Sequence, residues 1–231
     1  MGRVIRWIVL VVVAGFFIAL LGYNLFQGGA QPSELAWDKN ATIGSENAKH
    51  HYVMYTDLAC PYCDVFSRLV HENYEEFKQF IADNNILFEL RLSEFLYEYG
   101  EHKPDMSRWS AEAAYCASEE GRFWDYYYAA IDALYQDYHS KGIGVSKTSP
   151  KIENMTEEYW LNIGKNIGLS EAFTSCYNEH KTLSKVQENT KKAAKQVQGG
   201  LPYFKFGKFS TGGFDQSWGW KEVKEYLEAG L

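Results

Sequence analysis

No second Cys-x-x-Cys accompanies the one at Cys60–Cys63, and four cysteines are all that the 231 residues contain. A structural zinc site would want a second ligand pair at similar spacing. The six histidines do not supply one: only His50 and His51 are adjacent, and neighbouring side chains in a strand point to opposite faces. A surplus of positive charge is also absent. Formal net charge is -7, and with Arg3 and Arg6 set aside the 21 remaining basic residues against 30 acidic ones leave -9. That balance argues against nucleic acid and anionic lipid surfaces as partners. No internal repeat appears, so a solenoid or array is excluded.

Charge of either sign is missing from residues 7–23, WIVLVVVAGFFIALLGY. At about 1.5 Å per residue this run reaches roughly 26 Å, close to the hydrocarbon thickness of a bilayer. Arg3 and Arg6 precede it and no basic residue follows until Lys39. The expectation is a transmembrane anchor over residues 1–26, with the N-terminus cytoplasmic and the remainder outside the cytoplasm. A cleaved signal peptide is the alternative, with Gly28-Gly29-Ala30 as the cut, and the domain is then secreted. Either way the compartment is one in which disulfides persist. Residues 27–48 are rich in small and polar residues without a sustained period and read as a linker. A domain follows over residues 49–231.

What is there centres on Cys60-Pro61-Tyr62-Cys63. An apolar run, His51 to Tyr55, precedes it, and Phe66, Leu69, Val70, Tyr74, Phe77 and Ile81 follow at helical spacing. Strand, then two cysteines two residues apart, then helix is the setting of a redox pair. The first turn of a helix presents unpaired N–H groups and the positive end of the macrodipole, which favours a thiolate over a thiol. Pro61 suits the first helical position, where a missing N–H costs nothing. Cys60 is expected to be the more exposed sulfur and Cys63 the one turned inward. Half of a metal site, or an inert bridge stapling very little chain, are the bland readings.

The helix is expected to run on to Asn84-Asn85. Ile86, Phe88, Leu90 and Leu92 then alternate with Leu87, Glu89, Arg91 and Ser93, a strand of period two. Strand–helix–strand implies a parallel pair with a right-handed crossover. From Pro104 the pattern is helical for nearly a hundred residues, interrupted by a loop over 139–153. Tyr203–Phe206 and Phe209–Phe214 read as a hairpin, and Trp218–Glu228 as a final helix. The order β–α–β, helical block, β–β–α gives an α/β fold with an inserted helical subdomain at about 103–198.

This layout and its residues resemble the DsbA-like branch of the thioredoxin superfamily over about residues 50–230. The likeness is carried by VMYTDLACPYC, AEAAYCASEEGRFWDYY, FTSCYNEH and GGLPYFKFGKFSTGG, in that order. It implies a thioredoxin-like fold in which Leu201-Pro202 is a cis peptide facing the active-site pair, and in which Leu201 offers its backbone to an incoming substrate. Cys116 and Cys176 match positions that some extracytoplasmic members join in a structural disulfide; a closed loop of that length stabilises by roughly 4 kcal/mol in the chain-entropy model. Two buried thiols acting as small apolar residues are the alternative.

Two departures from the family pattern stand out. Where members often carry a buried glutamate six residues before the first cysteine, this chain has Met54, which leaves water or Asp57 to assist Cys63; Asp57 could equally cap the turn. The central pair is Pro61-Tyr62, and a tyrosine brings no positive charge to Cys60, so a weaker oxidant than the Pro-His members is expected.

The resemblance implies a membrane-anchored protein disulfide oxidoreductase, catalytic through Cys60 and Cys63, with no organic cofactor and no metal. Its substrates would be reduced or misfolded extracytoplasmic proteins, and a quinone-linked membrane protein would reoxidise it. Nothing in the sequence demands more than a monomer. The rivals are a membrane-fed reductase or isomerase, and a non-catalytic protein-binding module.

Overall fold

The computed structural model describes residues 36–98, 105–153, 155–206 and 209–231. The expected anchor at residues 1–26 lies outside them, as does the start of the expected linker. Among the described residues no helix is long and apolar enough to cross a membrane. The later part of the linker is built into the domain. Lys39–Ala41 form a 3-10 turn capped by Asp38. Strand β1 (Thr42–Gly44) then joins the sheet. Three residues are too few to show a period, and β1 is held from outside the segment: it pairs antiparallel with residues 87–89, and Thr42 O accepts from Trp124 Nε1 at 3.2 Å.

Strand β2 (His50–Thr56) leads into helices α1 (Pro61–Glu72) and α2 (Tyr74–Asp83). The single helix expected to reach Asn84 is therefore broken at Asn73. Its side-chain amide donates to Leu69 O at 2.8 Å, competing with the helical ladder as asparagine does, and its backbone leaves the helical region at φ -116°, ψ 32°. Asn85 takes the left-handed conformation, φ 51°, which asparagine tolerates, and turns the chain into β3 (Ile86–Leu92).

Helices α3 (Phe95–Glu98), α4 (Met106–Glu119), α5 (Phe123–Asp137), α6 (Glu157–Asn166), α7 (Glu171–Asn178) and α8 (Leu183–Gln196) follow. Strands β4 (Tyr203–Phe206) and β5 (Phe209–Gly212) and helix α9 (Trp220–Glu228) complete the order. The sheet runs β1-β3-β2-β4-β5. Strands β2 and β3 are parallel, as the crossover requires, and β4 is antiparallel to β2.

The period-two pattern of these strands sorts their side chains onto two faces. On one, Tyr52, Met54, Phe88, Leu90, Phe204 and Phe206 belong to the main core, with Phe66 of α1 at 4.8 Å from Phe204 and Phe77 of α2 at 5.2 Å from Phe88, centroid to centroid. On the other face Val53, Tyr55 and Tyr203 pack with Phe95 and with Ala193 of α8. The polar side of β3 is not a solvent face: every residue of the strand is buried. Glu89 meets Arg91 Nε and Nη2 at 2.9 Å, His51 Nε2 at 2.8 Å and the Trp37 amide at 2.7 Å. Burial alone would push the Glu89 carboxyl up; His51 and Arg91 outweigh it and hold it below the usual carboxylate range.

The helical block is tied to the sheet, to α1 and within itself. Tyr115 donates to Leu92 O at 2.7 Å, and the hydroxyls of Tyr127 and Ser67 lie 2.8 Å apart, linking α5 to α1. Cys116 on α4 and Cys176 on α7 form a disulfide across a sequence separation of 60. Replacing both by alanine should lower the unfolding free energy by about 2–5 kcal/mol, read from urea titrations of wild type and variant. Equal midpoints would contradict a stabilising bridge.

Candidate active site

After β2 the chain turns through Asp57, Leu58 and Ala59. Asp57 closes the turn with its Oδ1 accepting from the Ala59 amide at 2.8 Å and its carbonyl accepting from the Cys60 amide at 3.0 Å. Its Oδ2 accepts from the Leu96 amide at 2.9 Å, so the same carboxylate pins the start of α3 against the turn. Cys60 is the N-cap of α1, extended at φ -88°, ψ 114°, with Pro61 next to it and no capping bond from the side chain. The sulfur is left at the electropositive end of the helix, within 3.8 Å of Leu201 O. The Leu201-Pro202 peptide is cis.

Sheet register brings these distant segments together. Tyr55 near the end of β2 pairs with Tyr203 at the start of β4. Cys60 leaves the sheet just beyond the one and Pro202 enters it just before the other, so 141 residues of sequence separation close into one contact.

Exposure does not distinguish the two sulfurs as expected: Cys60 is 4% exposed and Cys63 2%. What differs is access. Cys60 lines a groove of about 650 Å³ with Pro61, Tyr62, Leu96, Leu201 and the loop from Gly144 to Ile152. Cys63 is not part of that lining. Burial, followed by the neighbouring Cys60 sulfur, pushes the Cys63 thiol well up, only partly countered by the Thr56 side chain and, after it, the Asp57 amide. Both thiols are unbonded. Tyr62 stands out at 42% exposed, a flat apolar surface beside the reactive sulfur.

Met54 is buried in β2 between Leu90 and Phe204, so no acid occupies that position. Asp57 reaches Cys63 through its backbone, while both oxygens of its carboxylate are taken up by the Ala59 and Leu96 amides. Among the described residues no three or more His, Cys, Asp or Glu side chains converge as a metal site.

One buried pair has no signal in the sequence. Asp64, immediately after Cys63, lies with its Oδ2 2.8 Å from His139 Nδ1, both almost without exposure. Their separation of 75 residues leaves no local spacing to read. The contact fastens the first turn of α1 to the base of the 143–152 loop, which is itself folded on Ile152: a Cβ at Gly144 would come within 2.9 Å of that side chain.

Burial pushes the Asp57 carboxyl up to about 6, against the pull of the Leu96 and Ala59 amides. A carboxyl raised on folding is protonated more readily in the native state. Its stabilising contribution is therefore complete below about pH 4 and is lost as pH rises through 6. The stability margin of wild type over Asp57→Ala should shrink by up to about 3 kcal/mol between pH 4 and 7. Denaturant titrations of both proteins across that range check it, and a margin that grows with pH would contradict it.

In comparison with known proteins, a family model described as Thioredoxin matches residues 37–205. No curated protein sequence matches. Solved structures share the fold at low identity. A thioredoxin-like oxidoreductase from Silicibacter pomeroyi DSS-3 is 20% identical, with a TM-score of 0.57 over 87% of this chain and 97% of that one. BdbD from Bacillus subtilis is 17% identical, TM-score 0.58, over 82% and 91%. MdbA, a thiol-disulfide oxidoreductase from Corynebacterium diphtheriae, is 16% identical, TM-score 0.57, over 84% and 91%. With the family match running from Trp37 through the Cys60–Cys63 pair to Lys205, the chain belongs to the thioredoxin family.

Proposed function

We propose that the protein is a thiol–disulfide oxidoreductase that donates a Cys60–Cys63 disulfide to reduced proteins outside the cytoplasm, held at the membrane by residues 1–26. The observation that carries this reading is the asymmetric placement of the pair. Cys60 opens onto the groove beside Leu201-cis-Pro202, and Cys63 is enclosed behind it. A substrate thiolate attacks Cys60 Sγ in the oxidised enzyme; the Cys60–Cys63 bond breaks with its electron pair on Cys63, which takes a proton. A second substrate thiolate then attacks the substrate sulfur of the mixed disulfide and releases Cys60. The substrate loses two electrons and two protons, and the enzyme gains them as its dithiol.

The helix terminus favours negative charge on the departing Cys60, and burial favours the protonated form of Cys63. Each cysteine thus has the surroundings its step needs. Regeneration requires a two-electron acceptor, for which a quinone-linked membrane protein is the proposed partner, and no organic cofactor or metal enters the scheme.

Trapping tests the division of labour. Cys63→Ser should accumulate reductant-sensitive mixed disulfides with client proteins through Cys60, seen on non-reducing gels, while Cys60→Ala should trap none and lose oxidation of a reduced two-cysteine substrate. Full activity in Cys60→Ala would contradict the enzyme reading and favour a binding module.

A further inference from the structure

Resting on the proposed disulfide exchange, we infer that the Thr56 hydroxyl donates a hydrogen bond to Cys63 Sγ as that sulfur leaves Cys60, and so speeds the attack of the substrate thiolate. Alternation along β2 decides the placement. Tyr52, Met54 and Thr56 share one face of the strand, and Tyr52 and Met54 lie in the main core with Cys63 and Phe66 of α1. Thr56 is fully buried on that face, at the end of β2 that leads into α1. Its backbone is fixed, because its carbonyl accepts from the Ser93 amide at 3.0 Å and from Ser93 Oγ at 3.3 Å. Branching at Cβ limits its side chain to few rotamers.

The hydroxyl itself lacks a structural use. Among the described residues Thr56 Oγ1 completes no hydrogen bond, and a buried polar group in that condition calls for a reason. The two side chains whose ionised forms it favours are Cys63 and Tyr127. Tyr127 already has Ser67 as a partner at 2.8 Å. That leaves the sulfur, a weak acceptor as a thiol and a much stronger one once it carries charge. A donor fixed in advance beside the atom where charge develops favours the transition state over the ground state. The acids flanking the pair are engaged elsewhere: Asp57 accepts from the Ala59 and Leu96 amides, and Asp64 meets His139. The exchange balances without a further reagent. The Cys60–Cys63 bond breaks with its electron pair on Cys63 Sγ, Thr56 keeps its own proton, and solvent supplies the one that completes the Cys63 thiol.

The test uses the oxidised full-length protein in neutral detergent and a short uncharged peptide with two cysteines. Loss of the Cys60–Cys63 disulfide, followed by acid quench, alkylation and mass, gives a second-order rate. Thr56→Val and Thr56→Ala lack the donor and should react about fivefold more slowly than wild type. Thr56→Ser keeps the hydroxyl and should stay within twofold of wild type, and thermal midpoints check that each variant is folded. A second readout separates this role from a structural one. In a Cys63→Ala background, dithiothreitol releases the peptide from its mixed disulfide with Cys60, a step in which Cys63 takes no part, and adding Thr56→Val should leave that release rate unchanged. Rates for the two hydroxyl-free variants equal to wild type overturn the inference while leaving disulfide exchange standing. Slowing of both steps alike overturns it too, as the mark of a distorted turn. Failure of wild type to oxidise the peptide overturns the exchange reading, and this inference with it.

Discussion

The antiparallel pairing of β2 with β4 is the constraint on which the rest of the molecule depends. It places the end of one strand beside the start of the other, with Tyr55 opposite Tyr203. The reactive turn follows the first and the cis-proline turn precedes the second. A one-residue slip of β4 would move its side chains to the opposite face, removing Phe204 from the main core and Tyr203 from the smaller one. Register and active-site geometry are therefore set by the same hydrophobic sorting.

Around that pair of strands the protein tolerates an unusual amount of buried charge. Glu89 and Arg91 are both fully buried on β3. Removing an ion pair from water costs several kcal/mol per ion unless geometry and further hydrogen bonds offset it. Glu89 has such bonds from His51 and the Trp37 amide, while Arg91 reaches the Tyr55 hydroxyl at 3.0 Å and lies over the Trp37 ring. The network joins β2, β3 and the segment before β1, stiffening the sheet behind the site. On the other flank Asp57 joins the turn before Cys60 to α3, and Asp64–His139 joins α1 to the helical block. Buried acids thus fix the reactive turn from both sides.

Much of this was legible from residue spacing. The apolar run, Cys60-Pro61-Tyr62-Cys63 and the helical period located the strand–helix junction; the alternation from Ile86 to Leu92 located β3; and Gly and Pro punctuated the helices. The cis bond before Pro202 and the Cys116–Cys176 pairing came from resemblance, because neither leaves a local pattern. What could not be read shares one physical cause: it depends on partners far along the chain. β1 is a strand only because β3 presents an edge to it. Alternation separates Glu89 and Arg91 from the apolar positions of β3, but it does not reveal that a helix covers their side too. Asn73 reads as one more position in a helical period, although its side-chain amide ends α1. The loop from 143 to 152 was recognisable as a loop, but its position over Cys60 follows from the packing of α5 and from His139.

The central claim is that Cys60–Cys63 gives its disulfide away, and the equilibrium reduction potential of that pair tests it most directly. It is measured on the full-length protein in glutathione redox buffers, with thiols quantified by alkylation and mass. The account predicts a value closer to about -120 mV, the strongly oxidising end of the superfamily, than to about -270 mV. A value at the reducing end would contradict it and make the same geometry that of a reductase.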